Sequence, residues 1–307
     1  MTEIFLKTLP FFGLIGLGWA AAASRFFPPE AAAWLTKFVF YFALSAMLFR
    51  FAAGLDLGAL FDLRFVLAYL AGSTLVWAIG MAVGRWRGLP LPDAAMEAQC
   101  CMTGNTGFLG VPMLVVLLGE RTVGPVLMVL TIDMLVFSTL ITLIIHGARQ
   151  GGLRGAAILP VLRGVAANPM ILSMVAGLSW SLLHLPMPGP LDEFLTILGQ
   201  AATPGALFAI GASLAGRQLR RMATSGWLGF AKLVLHPLAV GVAALLLAVE
   251  PFSAGVMIAA AALPVAGNVY ILAQHFGVGQ QRVSTAILIS TAFSIVTIPL
   301  VIGLIAA

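Results

Sequence analysis

The chain has 307 residues, of which 61% are hydrophobic and 9% are charged, and its mean hydropathy is +1.07. Soluble domains carry roughly 25% charged residues, so this composition excludes a soluble globular protein and indicates an integral membrane protein. The formal net charge is +5, but the positive residues are scattered between apolar stretches. Nucleic-acid-binding proteins concentrate such charge on one surface, so no nucleic-acid partner is expected.

Ten apolar stretches are long enough to cross a bilayer as helices, since one crossing needs about 20 apolar residues. We number them spans 1 to 10, at residues 5–24, 32–54, 64–84, 94–118, 123–145, 158–183, 191–215, 226–248, 253–276 and 283–305. Span 1 also resembles a cleavable signal peptide, but we interpret it as uncleaved because the internal repeat described below needs it. Asp93 and Ser253 are predicted to cap the helices of spans 4 and 9, since short polar side chains accept hydrogen bonds from the first helical N–H groups.

Positively charged residues near the span ends predict the orientation, because they prefer the cytoplasmic side. If the N-terminus lies outside, the inner connections hold eleven Lys or Arg residues and the outer ones hold four. The inner set is Arg25, Lys37, Arg85, Arg87, Arg149, Arg154, Arg163, Arg217, Arg220, Arg221 and Arg282, and the outer set is Lys7, Arg50, Arg64 and Arg121. Both termini are therefore predicted to lie outside.

The two halves of the chain are related, and we predict one five-helix repeat over residues 1–150 and a second over residues 151–307. Ser45-Ala46-Met47-Leu48-Phe49 in span 2 matches Pro204-Gly205-Ala206-Leu207-Phe208 in span 7 at an offset of 159 residues, and Leu55 then aligns with Leu214. An odd number of spans per half makes the repeats inverted in the membrane. Such an arrangement is typical of secondary transporters.

Spans 4 and 9 carry helix-breaking residues near their middle, at positions that the same offset makes equivalent. Span 4 reads Gly-Asn-Thr-Gly-Phe-Leu-Gly-Val-Pro at residues 104–112, and span 9 reads Pro-Val-Ala-Gly-Asn at residues 264–268. A glycine inside a helix costs about 1 kcal/mol and a proline about 3 kcal/mol, so each helix should break there. Lipid cannot satisfy the freed backbone groups, so the breaks must face protein or a wet cavity. We predict that the two broken helices cross.

Half-helix ends that meet at such a crossing favour an anion, because free N–H groups at helix N-termini carry partial positive charge. Asn105 and Asn268 would add amide donors, so a carboxylate is the expected ligand. The alternative is that each asparagine only caps its half-helix. Tyr270 either stacks beside the substrate or is a packing residue. The predicted substrate-binding residues are Asn105, Thr106, Gly107, Pro112, Pro264, Gly267, Asn268 and Tyr270.

Asp133 lies deep in span 5, where an ionised carboxylate costs at least about 2.5 to 3.5 kcal/mol and should have a partner. We interpret it either as the site of a coupling proton or sodium ion, or as half of a structural charge pair with Lys232 in span 8. Lys232 and His236 lie four residues apart on one helix face. They either hold a second substrate carboxylate or stabilise a kink at Pro237. No cofactor and no metal are expected apart from the coupling ion.

Four motifs follow one another along essentially the whole chain. They are the 104–112 stretch, Asn168-Pro169, Ala202-Thr203-Pro204 with Gly211-Ala212-Ser213-Leu214, and the 264–277 stretch. Together they resemble the auxin efflux carrier family, and most closely its short bacterial members, often described as malonate or malate permeases. Ser45 stands where many members have a proline, so the resemblance does not extend to the local bend of span 2.

The resemblance implies ten spans, a scaffold of spans 1, 2, 6 and 7 that often dimerises, and a mobile transport domain of spans 3–5 and 8–10. It also implies elevator-type transport of organic anions across the bacterial inner membrane, and a distant relation to sodium-coupled bile acid symporters. Membrane lipid and a second copy of the chain are the other expected partners.

Two other function classes explain less of the sequence. An intramembrane enzyme would need a Gly-x-Ser-Gly nucleophile, a second deep aspartate or paired magnesium-binding motifs, and Gly211-Ala212-Ser213-Leu214 lacks the final glycine. A channel could also use broken helices, but it would conduct without saturating. The sequence therefore predicts a secondary transporter rather than an enzyme. The resemblance favours a dicarboxylate such as malonate or malate as the substrate, with a monocarboxylate as the alternative.

Overall fold

The computed structural model describes residues 2–54, 62–150, 168–216 and 221–305, and within these ranges every regular element is a helix. The α-helices are α1 (Thr2–Ala23), α2 (Pro29–Phe38), α3 (Leu44–Ala53), α4 (Leu63–Trp86), α5 (Leu91–Met102), α6 (Val111–Leu118), α7 (Val123–Ile132), α8 (Ser138–Gln150), α9 (Pro169–Leu182), α10 (Gly189–Gln200), α11 (Ala202–Leu214), α12 (Met222–Phe230), α13 (His236–Leu246), α14 (Pro251–Ala261), α15 (Gly267–Phe276) and α16 (Gln280–Ile305).

Seven helical stretches in the described ranges are long and apolar enough to cross a membrane. They are Phe5–Ala23, Pro29–Ala53, Leu63–Trp86, Glu120–Arg149, Gly189–Leu214, Met222–Leu246 and Gln280–Ile305, and three shorter apolar helices are Thr106–Leu118, Pro169–Leu182 and Pro251–Ala261. The prediction of an all-helical membrane protein is confirmed, while the count of ten spans and the inverted repeat stay predictions. The start of span 6, Leu55, Arg154, Arg163, Arg217 and Arg220 lie outside the described residues.

Four π-helical turns interrupt the described helices, at Val39–Ala43, Thr106–Gly110, Asp133–Phe137 and Ala231–Leu235. Each π turn carries one residue more than an α-turn and re-aims the side chains that follow it, and such turns are frequent at functional sites. Two of them contain the titratable residues singled out above, Asp133 and Lys232. The turn at Val39–Ala43 also makes span 2 irregular without a proline, and the Ser45 hydroxyl donates to the Phe40 carbonyl at 3.2 Å.

Two helix starts differ from the prediction. Asp93 is not an N-cap, because α5 already begins at Leu91 after the N-cap Pro90, and Asp93 lies in its first turn. Ser253 is not an N-cap either, because α14 begins at Pro251 and Glu250 is the N-cap. In both cases a proline near the start of the helix, with its fixed φ, sets the first turn earlier than the polar residue would.

The helices pack most extensively within two groups, which we name the small bundle and the large bundle. The small bundle contains α1–α3 and α9–α11, with α1 packed against α11 and α3 against α9 and α10. The large bundle contains α4–α8 and α12–α16, with α4 packed against α5 and α13, and α12 against α16. The bundles meet where α1 contacts α16 and α6, and where α11 contacts the π turn at Thr106–Gly110.

Glycines allow the closest helix contacts within each bundle. A Cβ atom added to Gly18 of α1 would lie 2.1 Å from the Phe208 carbonyl oxygen of α11, and one added to Gly211 would lie 1.9 Å from the Ile15 oxygen. In the large bundle, a Cβ added to Gly72 of α4 would lie 2.7 Å from the Val240 Cα of α13. Small residues at these crossings let the backbones touch, which is how membrane helices gain van der Waals contact when lipid is as apolar as they are.

A cluster of ion pairs joins three parts of the large bundle. Arg282 of α16 contacts Asp93 and lies 3.0 Å from Glu97 of α5, and Arg87, just after α4, lies 2.7 Å from the other Glu97 oxygen. Glu97 is buried, so its charge needs these two partners to offset the loss of hydration. These ion pairs therefore hold α5, the half of span 4 that precedes the break, against the end of α4 and against α16.

Candidate functional site

The breaks in spans 4 and 9 meet and hydrogen-bond to each other. The Asn105 N–H donates to the Pro264 carbonyl at 2.9 Å, and the Ala266 N–H donates to the Thr103 carbonyl at 3.1 Å. Between these bonds, Gly104 and Val265 form a short antiparallel bridge. Each interrupted helix thus supplies partners for backbone groups that the other leaves free, which is a requirement inside a membrane protein.

Gly104 is required at this crossing because its surroundings leave little room for a side chain. A Cβ atom there would lie 3.1 Å from the Ala260 carbonyl oxygen and 3.3 Å from the Lys232 Nζ. Both distances are tighter than ordinary van der Waals contacts, and Ala260 belongs to the last turn of α14. The lysine head and the helix end therefore press against the bridge from one side.

Neither asparagine side chain makes a capping hydrogen bond, although Asn105 occupies the N-cap position of the π turn at Thr106–Gly110. Ala266 is the N-cap of α15, and Asn268 lies one residue inside the helix without a capping hydrogen bond. The Asn268 Oδ1 is buried and has no hydrogen-bond partner among the described residues. Asn105 precedes the π turn at Thr106–Gly110, and its side chain makes no capping bond, while its carbonyl accepts from Leu109 and Gly110. Both side-chain amides remain available to a ligand.

A small cavity lies at the crossing, on the boundary between the two bundles. Its lining includes Asn105, Gly107, Asp133 and Asn268 of the large bundle. The space open to the centres of water-sized molecules is 30 Å³, enough for about two of them. The carboxylate group of a substrate would fill such a cavity and touch its walls.

Apolar side chains close the cavity on the side of the small bundle. Phe40 and Met170 line it there, and the Phe40 ring stacks on Phe108 with centroids 6.1 Å apart and an angle of 8° between the planes. A second cavity, of 100 Å³ by the same measure, adjoins the first and shares Leu130, Met134 and Met170 with it. Its lining is apolar apart from Thr131.

The other predicted binding residues surround the breaks without lining the cavity. Thr106 is buried, and its Oγ1 has no partner among the described residues. Pro112 is buried in the first turn of α6, and Pro264 contributes the carbonyl that accepts from Asn105. Gly267 is exposed at the start of α15 with open space beside its Cα, and Tyr270 is partly buried.

Asp133 is 3% exposed, and its carboxylate accepts one hydrogen bond. The Tyr69 hydroxyl of α4 donates to its Oδ1 at 2.8 Å, whereas its Oδ2 has no hydrogen-bond partner among the described residues. No ion pair within 4.0 Å joins Asp133 to Lys232 in the described part of the chain, so the two groups are not in direct contact. Asp133 thus lines the same cavity as the two asparagines, and one of its carboxylate oxygens has no hydrogen-bond partner among the described residues.

Lys232 and His236 contact the end of α14, just before the break in span 9, and do not line the cavity. The Lys232 Nζ donates to the Ala261 carbonyl at the C-terminal end of α14 and lies 3.2 Å from the His236 Nδ1. The His236 Nε2 pairs with the Ser73 hydroxyl at 2.9 Å. A positive charge at a helix C-terminus is favourable, because the free carbonyls there carry partial negative charge. Lys232 therefore stabilises the end of the half-helix that span 9 leaves at its break.

Two residues of α4 were missed by reasoning from the sequence. Tyr69 and Ser73 lie four residues apart on one face of the helix, and they contact Asp133 and His236. Their spacing in an otherwise apolar helix is a signal that they share a buried face. The partner of each, 64 and 163 residues away in the sequence, could not be identified from the spacing.

Comparison with known proteins gives one family and several full-length relatives. Residues 3–302 match the family model described as "Membrane transport protein". The chain is 35% identical over 302 residues to the "Putative malonate transporter" of Rhizobium meliloti (strain 1021), covering 97% of this chain and 94% of that protein. It is 25% identical over 302 residues to the "Uncharacterized transporter YfdV" of Escherichia coli (strain K12), covering 95% and 94%. It is also 26% identical over 150 residues to "Auxin efflux carrier component 5" of Arabidopsis thaliana, covering 47% of this chain and 42% of that protein.

Proposed function

This chain belongs to the membrane transport protein family, the auxin efflux carrier family that its motifs resemble, and from that premise we propose that it is a secondary active transporter of small carboxylates. The proposal rests on one observation: two interrupted helices meet beside a small cavity, and the cavity is lined by two asparagines whose side chains make no capping hydrogen bond. Amide donors and the N-terminal end of α15 favour a carboxylate there without adding a fixed charge that would hold it too tightly.

We propose an elevator-type movement in which the large bundle carries the substrate past the small bundle. Support comes from the packing, which is most extensive within each bundle, and from the cavity, which is lined by residues of both. In this scheme the small bundle is the scaffold of spans 1, 2, 6 and 7. It also forms a homodimer, for which α2 exposes the large apolar side chain Trp34. The large bundle contains spans 3–5 and 8–10.

We also propose the membrane topology that the apolar stretches, the internal repeat, the positive charges and the family resemblance predict. Ten spans in two inverted repeats, residues 1–150 and 151–307, would lie in a bacterial inner membrane with both termini outside. Relatives named as transporters favour a carrier over an enzyme. A channel remains the competing function, and it is distinguished by transport kinetics.

Two substrate classes have separate support. A dicarboxylate such as malonate or malate is favoured by the name of the relative that is 35% identical. A monocarboxylate is favoured by the cavity, because none of its described lining side chains is positively charged and the adjoining 100 Å³ cavity is apolar. A second carboxylate would lack a counter-charge there, whereas the hydrocarbon part of a monocarboxylate would contact apolar side chains.

Binding and counterflow with purified protein in liposomes test the site. Asn105→Ala and Asn268→Ala should each weaken carboxylate binding by roughly 10- to 100-fold, because a hydrogen bond to a charged group contributes about 1.5–3 kcal/mol. Asn168→Ala is the matched control, since this asparagine caps α9 through bonds from Met170 and Ile171. It should lower thermal stability, and it should weaken binding less than either of the two variants at the crossing, since its amide reaches the cavity only through the Sδ of Met134 at 3.4 Å.

Two results would contradict the proposal. Unchanged affinity in both Asn105→Ala and Asn268→Ala would remove the site from the crossing. Flux that rises linearly with substrate, with no acceleration when substrate is present on the opposite side, would favour a channel over a carrier. The panel includes malonate, malate and short monocarboxylates, each with and without sodium.

A further inference from the structure

The cavity at the crossing holds acceptor oxygens that lack a donor. The Asp133 Oδ2 and the Asn268 Oδ1 are both buried without a hydrogen-bond partner in the described part of the chain, and both residues line the cavity. Leaving a buried acceptor unpaired costs about 1–3 kcal/mol, and more for a charged one. The unpaired Asp133 oxygen therefore indicates that this carboxyl group gains a proton or a hydrogen-bond donor in the working protein.

The charged groups around Asp133 balance without entering the cavity. From α4, the Tyr69 hydroxyl occupies Oδ1, so it leaves Oδ2 free. From span 8, Lys232 is the positive group close enough to act on Asp133 electrostatically, but its Nζ is held by the Ala261 carbonyl. His236 lies behind it, against Ser73 and Lys232. If both groups are ionised, the charges of Asp133 and Lys232 sum to zero before the substrate enters.

A substrate carboxylate that enters this cavity comes close to the Asp133 carboxylate. Two carboxylates in one small space repel each other strongly, and such pairs are stabilised by sharing a single proton. We propose, on the basis of the function proposed above, that Asp133 carries the coupling proton and shares it with the substrate carboxylate. The protein is then a proton–carboxylate symporter.

The proton and the substrate enter and leave together. One proton from the aqueous side that supplies the substrate bonds to the Asp133 Oδ2, and its O–H donates to a carboxylate oxygen of the substrate. The asparagine amides donate to the substrate as well. When the cavity opens to the other side, the O–H bond breaks and the proton leaves with the anion, so Asp133 returns to its ionised state opposite Lys232. One proton and one monocarboxylate then cross together, so this movement of the large bundle transports no net charge.

A proton fits this site better than a sodium ion does. Hard metal cations take about six oxygen ligands, while most described side chains of the lining are apolar, including Phe40, Phe108, Leu130 and Met170. A shared proton needs only one acceptor on each side, and Asp133 Oδ2 is free to be one of them.

The experiment follows proton and substrate together in proteoliposomes that contain a trapped pH-sensitive dye. Inward gradients of radiolabelled malonate, and in parallel of a membrane-impermeant monocarboxylate, should drive proton uptake in the wild-type protein. The initial uptake rate should rise with acidity across the neutral range, by up to about tenfold per pH unit when one proton limits binding. Sodium should have no effect on it.

The Asp133→Asn variant should lose the proton movement and the pH dependence of whatever substrate uptake it retains, because an amide cannot take up and release the coupling proton. The matched control is Asp192→Asn, which removes an aspartate that pairs with Arg50 and does not line the cavity. It should behave like the wild type.

The inference is overturned if wild-type protein takes up substrate without proton movement, or with a sodium requirement, or if Asp133→Asn keeps the wild-type pH profile. The wild-type measurement decides this even where the variant fails to fold. The proposed function itself fails on a different readout, namely the absence of saturable uptake and counterflow for every carboxylate in the panel.

Discussion

The contact between α1 and α11 makes a sharp prediction about two neighbouring glycines. In Gly18→Ala the new Cβ would lie 2.1 Å from the Phe208 carbonyl oxygen, whereas in Gly16→Ala it would meet nothing within 4 Å. Carbon–oxygen contacts are normally about 3.3–3.6 Å, so the first substitution must separate the two helices locally by about 1 Å or more. The second substitution needs no movement.

The cost of the clash can be estimated from the difference in unfolding free energy between Gly18→Ala and Gly16→Ala. Replacing a helical glycine by alanine gains up to about 1 kcal/mol of helix propensity in both, so this contribution cancels. Forcing an extra atom into a close-packed contact costs about 1–3 kcal/mol, and only Gly18→Ala bears that cost. We therefore expect Gly18→Ala to be less stable than Gly16→Ala by about 1–3 kcal/mol.

Thermal unfolding of the purified proteins in one detergent, followed by loss of monodisperse protein, measures the difference. Gly16→Ala should melt at or above the wild-type temperature and Gly18→Ala several degrees below Gly16→Ala. Adding Gly211→Ala to Gly18→Ala should cost less than the sum of the two, because one separation of the helices relieves both clashes. Equal melting temperatures for Gly16→Ala and Gly18→Ala would refute the close crossing of α1 and α11.

Two further substitutions test the cavity and a helix end. Gly107→Ala places a Cβ 2.7 Å from the Met170 Cε, so Met170 must shift in the cavity lining, and the KM for substrate should rise roughly tenfold, or about 1.4 kcal/mol; adding Met170→Ala should restore it, and a KM that stays high in the double variant would contradict this reasoning. Glu250 caps α14 by accepting from the Ser253 N–H at 2.7 Å and the Phe252 N–H at 3.0 Å, and the bond from Ser253 contributes most to a pKa of Glu250 below its ordinary value. Because the folded-state pKa is the lower one, the stabilisation is present above the unfolded pKa and is lost as the pH falls through the folded pKa. Melting curves of the wild type and Glu250→Gln should therefore differ at neutral pH and converge in acid, and a constant gap would show that the carboxylate is not the cap.

The positions of the helix breaks could be predicted because they are set by local covalent structure. Glycine and proline are unfavourable inside a helix, so their clustering in residues 104–112 and 264–267 located both interruptions without knowledge of their neighbours. Single prolines are not sufficient, since Pro10 and Pro299 lie inside helices that continue. Asn168 before Pro169 likewise opens α9, with its side chain accepting from two backbone N–H groups. The N-cap predictions at Asp93 and Ser253 were wrong, because the nearby prolines start both helices earlier.

The roles of the two asparagines depended on geometry that local sequence does not specify. An asparagine beside a break is a good cap in isolation, but here the chain enters α15 with Ala266 as the N-cap and turns the Asn268 side chain away from the helix end. The four π turns were also not predicted. One extra residue in a helical turn leaves the apolar composition unchanged, so no pattern in the sequence marks it.

The sequence alone determined that this chain is a helical membrane protein and where two of its helices are interrupted, because composition and glycine or proline positions act locally. Only the tertiary structure decided which distant groups meet, as when Lys232 reaches the Ala261 carbonyl instead of Asp133, and Tyr69 satisfies one Asp133 oxygen and leaves the other free. These contacts join residues of different helices, and their energies depend on how the helices pack, which the order of residues along one helix does not contain.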